Sequence, residues 1–459
     1  MKRWLPWLAL PFICAVSLVW SHPTGAGLLA DTDTAVLIAH IRERHDPLSW
    51  FRGDWPLFNH FYRPVSTLAF EFDNWAHGND AAGYGLTQSL IGALCIMLVF
   101  WLVRELTDKP WAAGAASFLF GAWHLLWPVS DWLAWLFLAG SVVVWVAPFR
   151  YGWKRIGPTL LASAMLYFLS TITYPPVLFA SRTVTWLPGR TATVMTVFCL
   201  LATAAYARFE RLRAGSMPLR AARAEDEPLA SRTTVVGSSK KSDALWLAVA
   251  VVGVALALAS YEQAVMLPAA LLGVAVLFRT QGRRPHWWAH IAFWMVLGGY
   301  VVLRKKLVPS DVSGYQAQQF RNGPGVLLAL FAYLFPAHGS LSLFAAQLRE
   351  EWFIFVTASP YFNMLHVLGN VWTGVRSYLS PQGWHLAFAW LSAFVVFLPM
   401  AWLKMFEHYH YWPAVYWALL VVWLAGLGGQ AVVSALSHPA TQAPPRPSPA
   451  PGSLPRPSG

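Results

Sequence analysis

The chain has 459 residues, of which 57% are hydrophobic and only 12% are charged, with a formal net charge of +12. Its mean hydropathy is +0.46. Because this is more apolar surface than a soluble core buries, the composition excludes a soluble globular protein and predicts a polytopic membrane protein. The three cysteines lie in apolar segments without a CxxC pair, so the sequence predicts neither a disulfide framework nor a zinc site.

Apolar stretches long enough to cross a bilayer as helices recur along the chain. The first extends from Trp4 to Trp20 behind Lys2 and Arg3, and we predict that it stays in the protein as a span instead of being cleaved as a signal peptide. The pattern predicts an all-α protein with about 11 to 13 transmembrane helices. The predicted spans are residues 4–20, 84–104, 110–127, 130–148, 158–176, 191–207, 244–260, 263–278, 287–304, 325–338, 352–374, 385–403 and 411–434.

Lys and Arg are concentrated in alternate connections between these spans. Connections that face the cytoplasm are usually rich in Lys and Arg, so the pattern predicts a cytoplasmic N-terminus and an external first loop. It also explains the net basic charge without nucleic acid as a partner. The basic connections are the N-terminus and residues 104–109, 150–155, 208–243 and 279–284.

The predicted organisation is one transmembrane domain over residues 1–435 and a short tail. Within the domain, the external loop 21–83 carries the periodic pattern of residues 35–41, which predicts short helices lying along the membrane surface. The polar segment 208–243 is predicted to be a mobile cytoplasmic loop. Residues 436–459 are dominated by Pro, Ala, Ser and Gly and are predicted to be disordered.

Two acids, Asp31 and Asp33, follow directly after the first predicted span. An enzyme that transfers a sugar from a lipid phosphate needs a carboxylate to accept the proton of the acceptor hydroxyl and cations to hold the departing phosphate. Either acid is therefore a candidate base. The structural alternative is that Asp33 or Thr34 caps the helix that follows, and the residues alone leave both interpretations open.

Three further motifs follow these acids in order. They are Tyr62-Arg63-Pro64 leading to Gly83-Tyr84-Gly85, then Thr185-Trp186-Leu187-Pro188-Gly189-Arg190, then Ala259-Ser260-Tyr261-Glu262 with Pro268. Over roughly residues 1 to 280, the series resembles the external-loop pattern of bacterial GT-C membrane glycosyltransferases related to protein O-mannosyltransferases, the glycosyltransferase family 39-like group. Two positions depart from that pattern: Thr32 separates acids that the family places side by side, and Tyr261 stands where the family commonly has Lys.

The resemblance implies a GT-C fold in the bacterial cytoplasmic (inner) membrane, with an extracytoplasmic active site. The donor would be a polyprenyl-phosphate-linked sugar, and the acceptor a hydroxyl of a glycan, lipid or protein. No cofactor is implied and the family does not generally need a metal, although a divalent ion stays open. The base would be Asp31, which we favour, or Asp33. The substrate-binding residues would be Tyr62, Arg63, Asp131, Arg182, Arg190 and Glu262.

Several alternatives stay open at this level. We expect Asp31, Arg63, Arg190 and Glu262 to meet at one external cavity, but Arg63 also suits an interfacial side chain that reaches toward water. Residues 304–306, Arg-Lys-Lys, fall outside against the charge rule, so either the topology shifts there or a basic patch meets lipid phosphate. His408 and His410 do not share a helix face, which argues against a metal site. A lipid-linked glycan flippase and a catalytically degenerate GT-C scaffold are the alternative functions, although the scarcity of mid-span charges favours an enzyme over a flippase.

Overall fold

The structure is a computed structural model that describes most of the chain in separate stretches. These are residues 4–44, 46–125, 129–151, 186–216, 240–309, 311–320, 383–403 and 407–436, with isolated residues and pairs of residues between 156 and 185 and between 323 and 327. Several predictions fall wholly or mostly outside the described residues. They are the spans 158–176, 325–338 and 352–374, most of the 208–243 loop, the tail 437–459 and Arg182.

The segment between the first two long helices is built from short helices. The first long helix is α1 (Leu5–Trp20), and the segment after it contains α2 (Gly27–Ala30), α3 (Thr32–Arg44), a 3-10 turn (Pro47–Arg52) and α4 (Pro64–His77). This matches the helical periodicity of the sequence between residues 35 and 41. The apolar residues Leu37, Ile38 and Ile41 of α3 are buried, while Glu43 and Arg44 are exposed.

The long helices follow, and their ends have local causes. Asp80 caps α5 by accepting a hydrogen bond from the Ala82 N–H, and Asp108 ends α5 in the left-handed conformation just before Pro110 opens α6. The helices are α5 (Ala81–Thr107), α6 (Pro110–His124), α7 (Val129–Val143), α8 (Val146–Tyr151), α9 (Arg190–Ser216), α10 (Lys240–Leu258), α11 (Leu267–Thr280), α12 (Trp287–Leu307), α13 (Gly314–Gln319), α14 (Gly383–Phe397) and α15 (Tyr411–Leu436).

The protein is an all-α membrane protein in the part that the structure describes. This part contains no β-strand, only an isolated bridge between Phe320 and Leu403. By length and composition, 5 of its helical segments can cross a membrane, and shorter apolar helices accompany them. The 5 segments are Ala81–Thr107, Leu187–Arg213, Glu262–Thr280, Gly383–Trp402 and His408–Leu427.

Small residues let the first helix pack closely against the bundle. On α6, a Cβ added at Gly114 would lie 2.7 Å from the Trp7 carbonyl oxygen, and one added at Gly121 would lie 2.6 Å from the Cys14 Cβ. Glycine at helix contacts is a common means of close approach between membrane helices. Cys14 is itself buried, and so are the other two cysteines, which pack as small apolar side chains.

One end of the bundle is held by paired charges, and we call it the charged end. Arg211 donates to Asp108 over 2.6 Å, Arg213 lies 3.6 Å from Asp243, and the backbone N–H of His286 donates to Glu210 over 2.9 Å. These contacts extend α9 to Ser216, well into the segment predicted to be a mobile loop from residue 208. The correction has a physical cause, since each charged side chain near the end of α9 finds a partner on a neighbouring helix or turn.

The other end of the bundle carries the segment between α1 and α5. The Val65 N–H donates to the Ala259 carbonyl over 3.0 Å, and the Ser66 hydroxyl donates to the Ser260 carbonyl over 2.9 Å. These bonds join the start of α4 to the end of α10. Helices such as α10 therefore run from the charged end to this end, which we call the cavity end for the feature described next.

Candidate functional site

A cavity of about 280 Å³ lies at the cavity end, where five separated parts of the chain meet. Among the described residues, its walls combine carboxylates, one arginine, amide side chains and several aromatic rings. The lining residues include Asp33, Trp55, Asn59, Phe61 and Arg63 from the first loop, Trp186 before α9, Tyr261 and Glu262 before α11, Gln316 in α13, and His408 and Tyr409 before α15.

The two acids after α1 have different positions. Asp33 lies in the first turn of α3 and lines the cavity together with Val36, which is three residues further along the same helix face. Asp31 instead precedes the helix in extended conformation, and its Oδ2 accepts from the Thr34 N–H over 3.3 Å. The cap is therefore Asp31, whereas the sequence suggested Asp33 or Thr34 for this role.

Asp31 also reaches the cavity indirectly, through a tryptophan. The indole Nε1 of Trp186 donates to Asp31 Oδ2 over 3.0 Å, and the Trp186 ring lies 5.2 Å from the His408 ring between centroids. Since Trp186 lines the cavity, Asp31 helps to hold one of its walls. Trp186 belongs to the 185–190 motif, but nothing in the sequence singles it out as the contact of Asp31.

Arg63 and Glu262 form an ion pair in the cavity wall. Arg63 Nε and Nη2 lie 2.8 and 2.7 Å from the same oxygen, Glu262 Oε2. The guanidinium carbon is also 4.6, 4.1 and 4.4 Å from the ring centroids of Trp55, Phe61 and Tyr261. Arg63 is thus enclosed and paired, and it does not extend toward solvent as the interfacial alternative suggested.

Burial and pairing act in opposite directions on Arg63. Removal from water, the largest single contribution, lowers the pKa of its guanidinium. The Glu262 carboxylate, Tyr261 and Tyr409 together raise it by more, so the net pKa lies above the ordinary value. The second carboxylate oxygen, Glu262 Oε1, is buried and has no hydrogen-bond partner among the described residues. A buried acceptor without a donor is costly, so this oxygen is suited to accept a hydrogen bond from a bound molecule.

Tyr62 is not among the described residues that line the cavity. Its side chain is buried, its hydroxyl donates to the Phe51 carbonyl over 3.2 Å, and its ring centroid is 6.1 Å from that of Tyr300. Burial raises the pKa of the Tyr62 phenol. These contacts connect the Tyr62-Arg63-Pro64 motif to α12, so that Tyr62 supports its neighbour Arg63.

Arg190 lies in a closed network away from the cavity. Its Nε donates to Gln88 Oε1 over 2.7 Å, its Nη2 donates to the Tyr84 carbonyl over 3.0 Å, and its Nη1 pairs with Asp73. Both charged side chains are completely buried. This corrects the expectation that Arg190 meets Arg63 and Glu262 at one cavity: the nearer carboxylate of Asp73, which sequence reasoning missed, holds it between α4, α5 and α9.

Two predicted site residues cannot be placed against the cavity. Asp131 belongs to α7, in a part of that helix whose side chains are not described, and Arg182 lies outside the described residues. Within the described stretches, no group of three or more His, Cys, Asp or Glu side chains is arranged to hold a metal ion.

Comparison of the chain with protein-family models, with curated proteins and with solved structures finds no match in any of the three. The arrangement at the cavity end is therefore the basis for a functional assignment. It brings together Asp33, the Arg63–Glu262 pair and aromatic rings at one end of an apolar helix bundle.

Proposed function

We propose that this protein is a GT-C type membrane glycosyltransferase that moves a sugar from a polyprenyl-phosphate donor to a hydroxyl acceptor. The observation that carries the proposal is the cavity itself, because it joins the Asp33 carboxylate to aromatic walls at the end of membrane-crossing helices. Aromatic faces suit the apolar faces of sugar rings, and carboxylates suit their hydroxyls. A lipid-linked donor would reach such a site from the bilayer.

The proposed orientation places the cavity outside the cytoplasm of a bacterial cell. The charged end carries Arg208, Arg211 and Arg213 on α9, with Arg279 on α11 and Arg283 just after it. Positively charged connections usually stay in the cytoplasm, so the cavity would face the opposite side of the cytoplasmic membrane. The same proposal includes a cytoplasmic N-terminus and about 11 to 13 spans in the whole chain.

In the proposed reaction Asp33 is the general base. Its carboxylate takes the proton from the acceptor hydroxyl as that oxygen attacks the anomeric carbon of the donor sugar. The bond between this carbon and the phosphate oxygen breaks, and the polyprenyl phosphate leaves with the electron pair, which inverts the anomeric centre. A positioned base contributes about 10² to 10⁴ in rate.

The two acids would have separate roles. Asp33 lines the cavity, whereas Asp31 caps α3 and holds the indole of Trp186 over 3.0 Å. We therefore assign the base to Asp33, although the sequence alone favoured Asp31. Glu262 Oε1 would accept a hydrogen bond from a sugar hydroxyl, and Arg63 would hold Glu262 in place.

The test is sugar transfer by the full chain in reconstituted vesicles that contain polyprenyl-phosphate sugars. The matched variants are Asp33→Asn and Asp31→Asn, because an amide oxygen still accepts a hydrogen bond but no longer takes a proton. We expect Asp33→Asn to lose about 10² to 10⁴ of the rate while Asp31→Asn stays within about tenfold of the wild type.

Each other outcome of this experiment has a clear meaning. If only Asp31→Asn loses transfer, the general base is Asp31 and not Asp33. If both variants still transfer sugar at the wild-type rate, neither Asp31 nor Asp33 is the general base. Sugar that crosses the bilayer without transfer would favour a flippase, and neither crossing nor transfer with any donor would favour a non-catalytic scaffold.

A further inference from the structure

The end of α12 lies directly beside the cavity. Arg304 Nη2 donates to the His60 carbonyl over 3.1 Å, and Gln316 Nε2, which belongs to a cavity-lining residue, donates to the same oxygen over 3.4 Å. Two donors that share one acceptor are neighbours, so the Arg304 guanidinium is next to the cavity wall. The residues on either side of His60, Asn59 and Phe61, also line the cavity.

The direction of α12 decides between the two alternatives for its basic end. The residue that precedes this 21-residue helix, His286, bonds to Glu210 at the charged end, and Arg304 bonds to His60 at the cavity end. The helix therefore crosses between the two ends, and its Arg-Lys-Lys sequence lies beside the cavity. Cations here oppose the usual charge asymmetry if the cavity faces outward, so they call for a functional reason.

The cavity interior is a poor place for a phosphate. Two nitrogen atoms of Arg63 are engaged by Glu262 Oε2, and the pair is neutral as a whole. Among the described lining residues, Asp33 adds a further negative charge. Since a phosphate anion is repelled by carboxylates, these groups favour the uncharged sugar inside and the phosphate at a nearby cation.

The end of α12 offers those cations and an apolar surface together. Lys305 and Lys306 are exposed, and among the described residues Arg304 makes one hydrogen bond, to the His60 carbonyl. The preceding residues, Val301, Val302 and Leu303, are also exposed. Exposed apolar residues followed by cations suit a lipid whose hydrocarbon tail ends in a phosphate.

We infer that Arg304, Lys305 and Lys306 bind the phosphate of an isoprenoid phosphate lipid at the rim of the cavity. The isoprenoid tail and the role of this lipid as sugar donor rest on the proposed function, whereas the binding of a lipid phosphate does not. The arrangement places the sugar beside Asp33 and the leaving phosphate among cations, where the negative charge that develops on it is stabilised. Arg63 then acts as the partner of Glu262, and the phosphate is bound by the end of α12 and not by Arg63.

The test is binding of farnesyl phosphate and farnesol, which share one tail and differ in the phosphate, to the full chain in detergent. We expect the wild type to bind farnesyl phosphate at least about tenfold more tightly, as charge-assisted hydrogen bonds require. The triple variant Arg304→Gln/Lys305→Gln/Lys306→Gln should remove most of this preference. The double variant Lys305→Gln/Lys306→Gln changes only exposed side chains and should reduce it in a protein that folds normally.

The matched control is Arg284→Gln, an exposed cation at the charged end, which should keep the full preference. A preference that survives the triple variant would overturn the inference, and so would one that is lost in Arg63→Met but kept in the triple variant. Equal competition by short-chain phosphatidylglycerol would also overturn it, since the site would then take any anionic lipid. If the wild type transfers no sugar but its phosphate preference depends on these cations, the site stands and the proposed transferase function fails.

Discussion

Among the described residues, two buried arginines are paired with carboxylates, and the two pairs differ in their surroundings. Arg190 and Asp73 are completely enclosed, and Arg190 also donates to Gln88 and to the Tyr84 carbonyl. Arg63 is similarly enclosed, but its partner Glu262 lines the cavity and keeps 20% of its side-chain surface exposed. The first pair joins α4, α5 and α9, and the second forms part of a wall that a ligand can reach.

The difference shows that pairing alone does not separate a structural ion pair from a site residue. Each carboxylate has one oxygen without a hydrogen bond among the described residues. Asp73 Oδ1 lies in a sealed interior, 4.0 Å from His77 Nε2, whereas Glu262 Oε1 belongs to a cavity-lining side chain. Both oxygens are buried, so the difference lies in the side chains: that of Glu262 borders the cavity and is 20% exposed, whereas that of Asp73 is completely buried.

The largest expected effect is a loss of folding stability when the sealed pair, Arg190 and Asp73, is broken. Arg190→Met leaves Asp73 buried and unpaired, and breaking such a pair costs about 3–5 kcal/mol. We expect a low yield of monodisperse protein and a clear fall in the unfolding temperature in detergent. The matched variant Arg63→Met should destabilise less, by about 1–3 kcal/mol, because Glu262 borders the cavity and is accessible to water. Equal destabilisation by the two variants would remove the distinction between the pairs.

The next prediction replaces each carboxylate by the amide of the same shape, which separates an effect on activity from an effect on stability. Glu262→Gln keeps an acceptor oxygen but removes the charge that holds Arg63, so we expect transfer to fall by about tenfold to a hundredfold with a small change in unfolding temperature. Asp73→Asn should do the reverse and reduce stability first. Transfer rates divided by the amount of folded protein give the measurement. Normal transfer by Glu262→Gln would show that Glu262 is only structural.

A smaller effect is expected at the link between Asp31 and the cavity wall. Trp186→Phe keeps an aromatic ring but loses the indole N–H that donates to Asp31 over 3.0 Å. Loss of one such hydrogen bond is worth about 1 kcal/mol, so KM for the donor should rise several-fold while kcat changes little. A fall in kcat as large as that of Asp33→Asn would instead place Trp186 in the chemical step.

The features that the sequence predicts follow from local patterns, whereas those it misses are contacts between positions far apart in the chain. Spans such as 84–104 and 263–278 are predicted because hydrocarbon requires long apolar helices, and they lie within Ala81–Thr107 and Glu262–Thr280. The partners of the charged residues are not predictable in this way. Arg190 meets Asp73 across 117 positions, and Asp31 meets Trp186 across 155. No local pattern encodes such contacts, which arise only when separate helices pack.

The cap of α3 shows the same limit at short range. Both Asp33 and Thr34 fit the residue preferences of a helix start, but Asp31 takes the position because its backbone is extended directly after the short helix α2. The helix therefore begins at Thr32, two residues earlier than it would if Asp33 were the cap, and Asp33 lies in its first turn and lines the cavity. The sequence therefore predicts that an acid after α1 belongs to the site, but which acid does so depends on where the helix begins.

The smallest expected effect lies at the charged end, which extends the comparison to an exposed ion pair. Arg211 and Asp108 are 2.6 Å apart, but the Asp108 side chain is 72% exposed. Exposed pairs contribute about 0–1 kcal/mol and are screened by salt, so Asp108→Asn should lower the unfolding temperature slightly at low salt and hardly at all at high salt. Asp73→Asn should keep its large effect at both salt concentrations, because its pair is sealed from ions. If salt moves the two variants equally, the interior pair is more accessible than its burial indicates, and the division between sealed and accessible pairs fails.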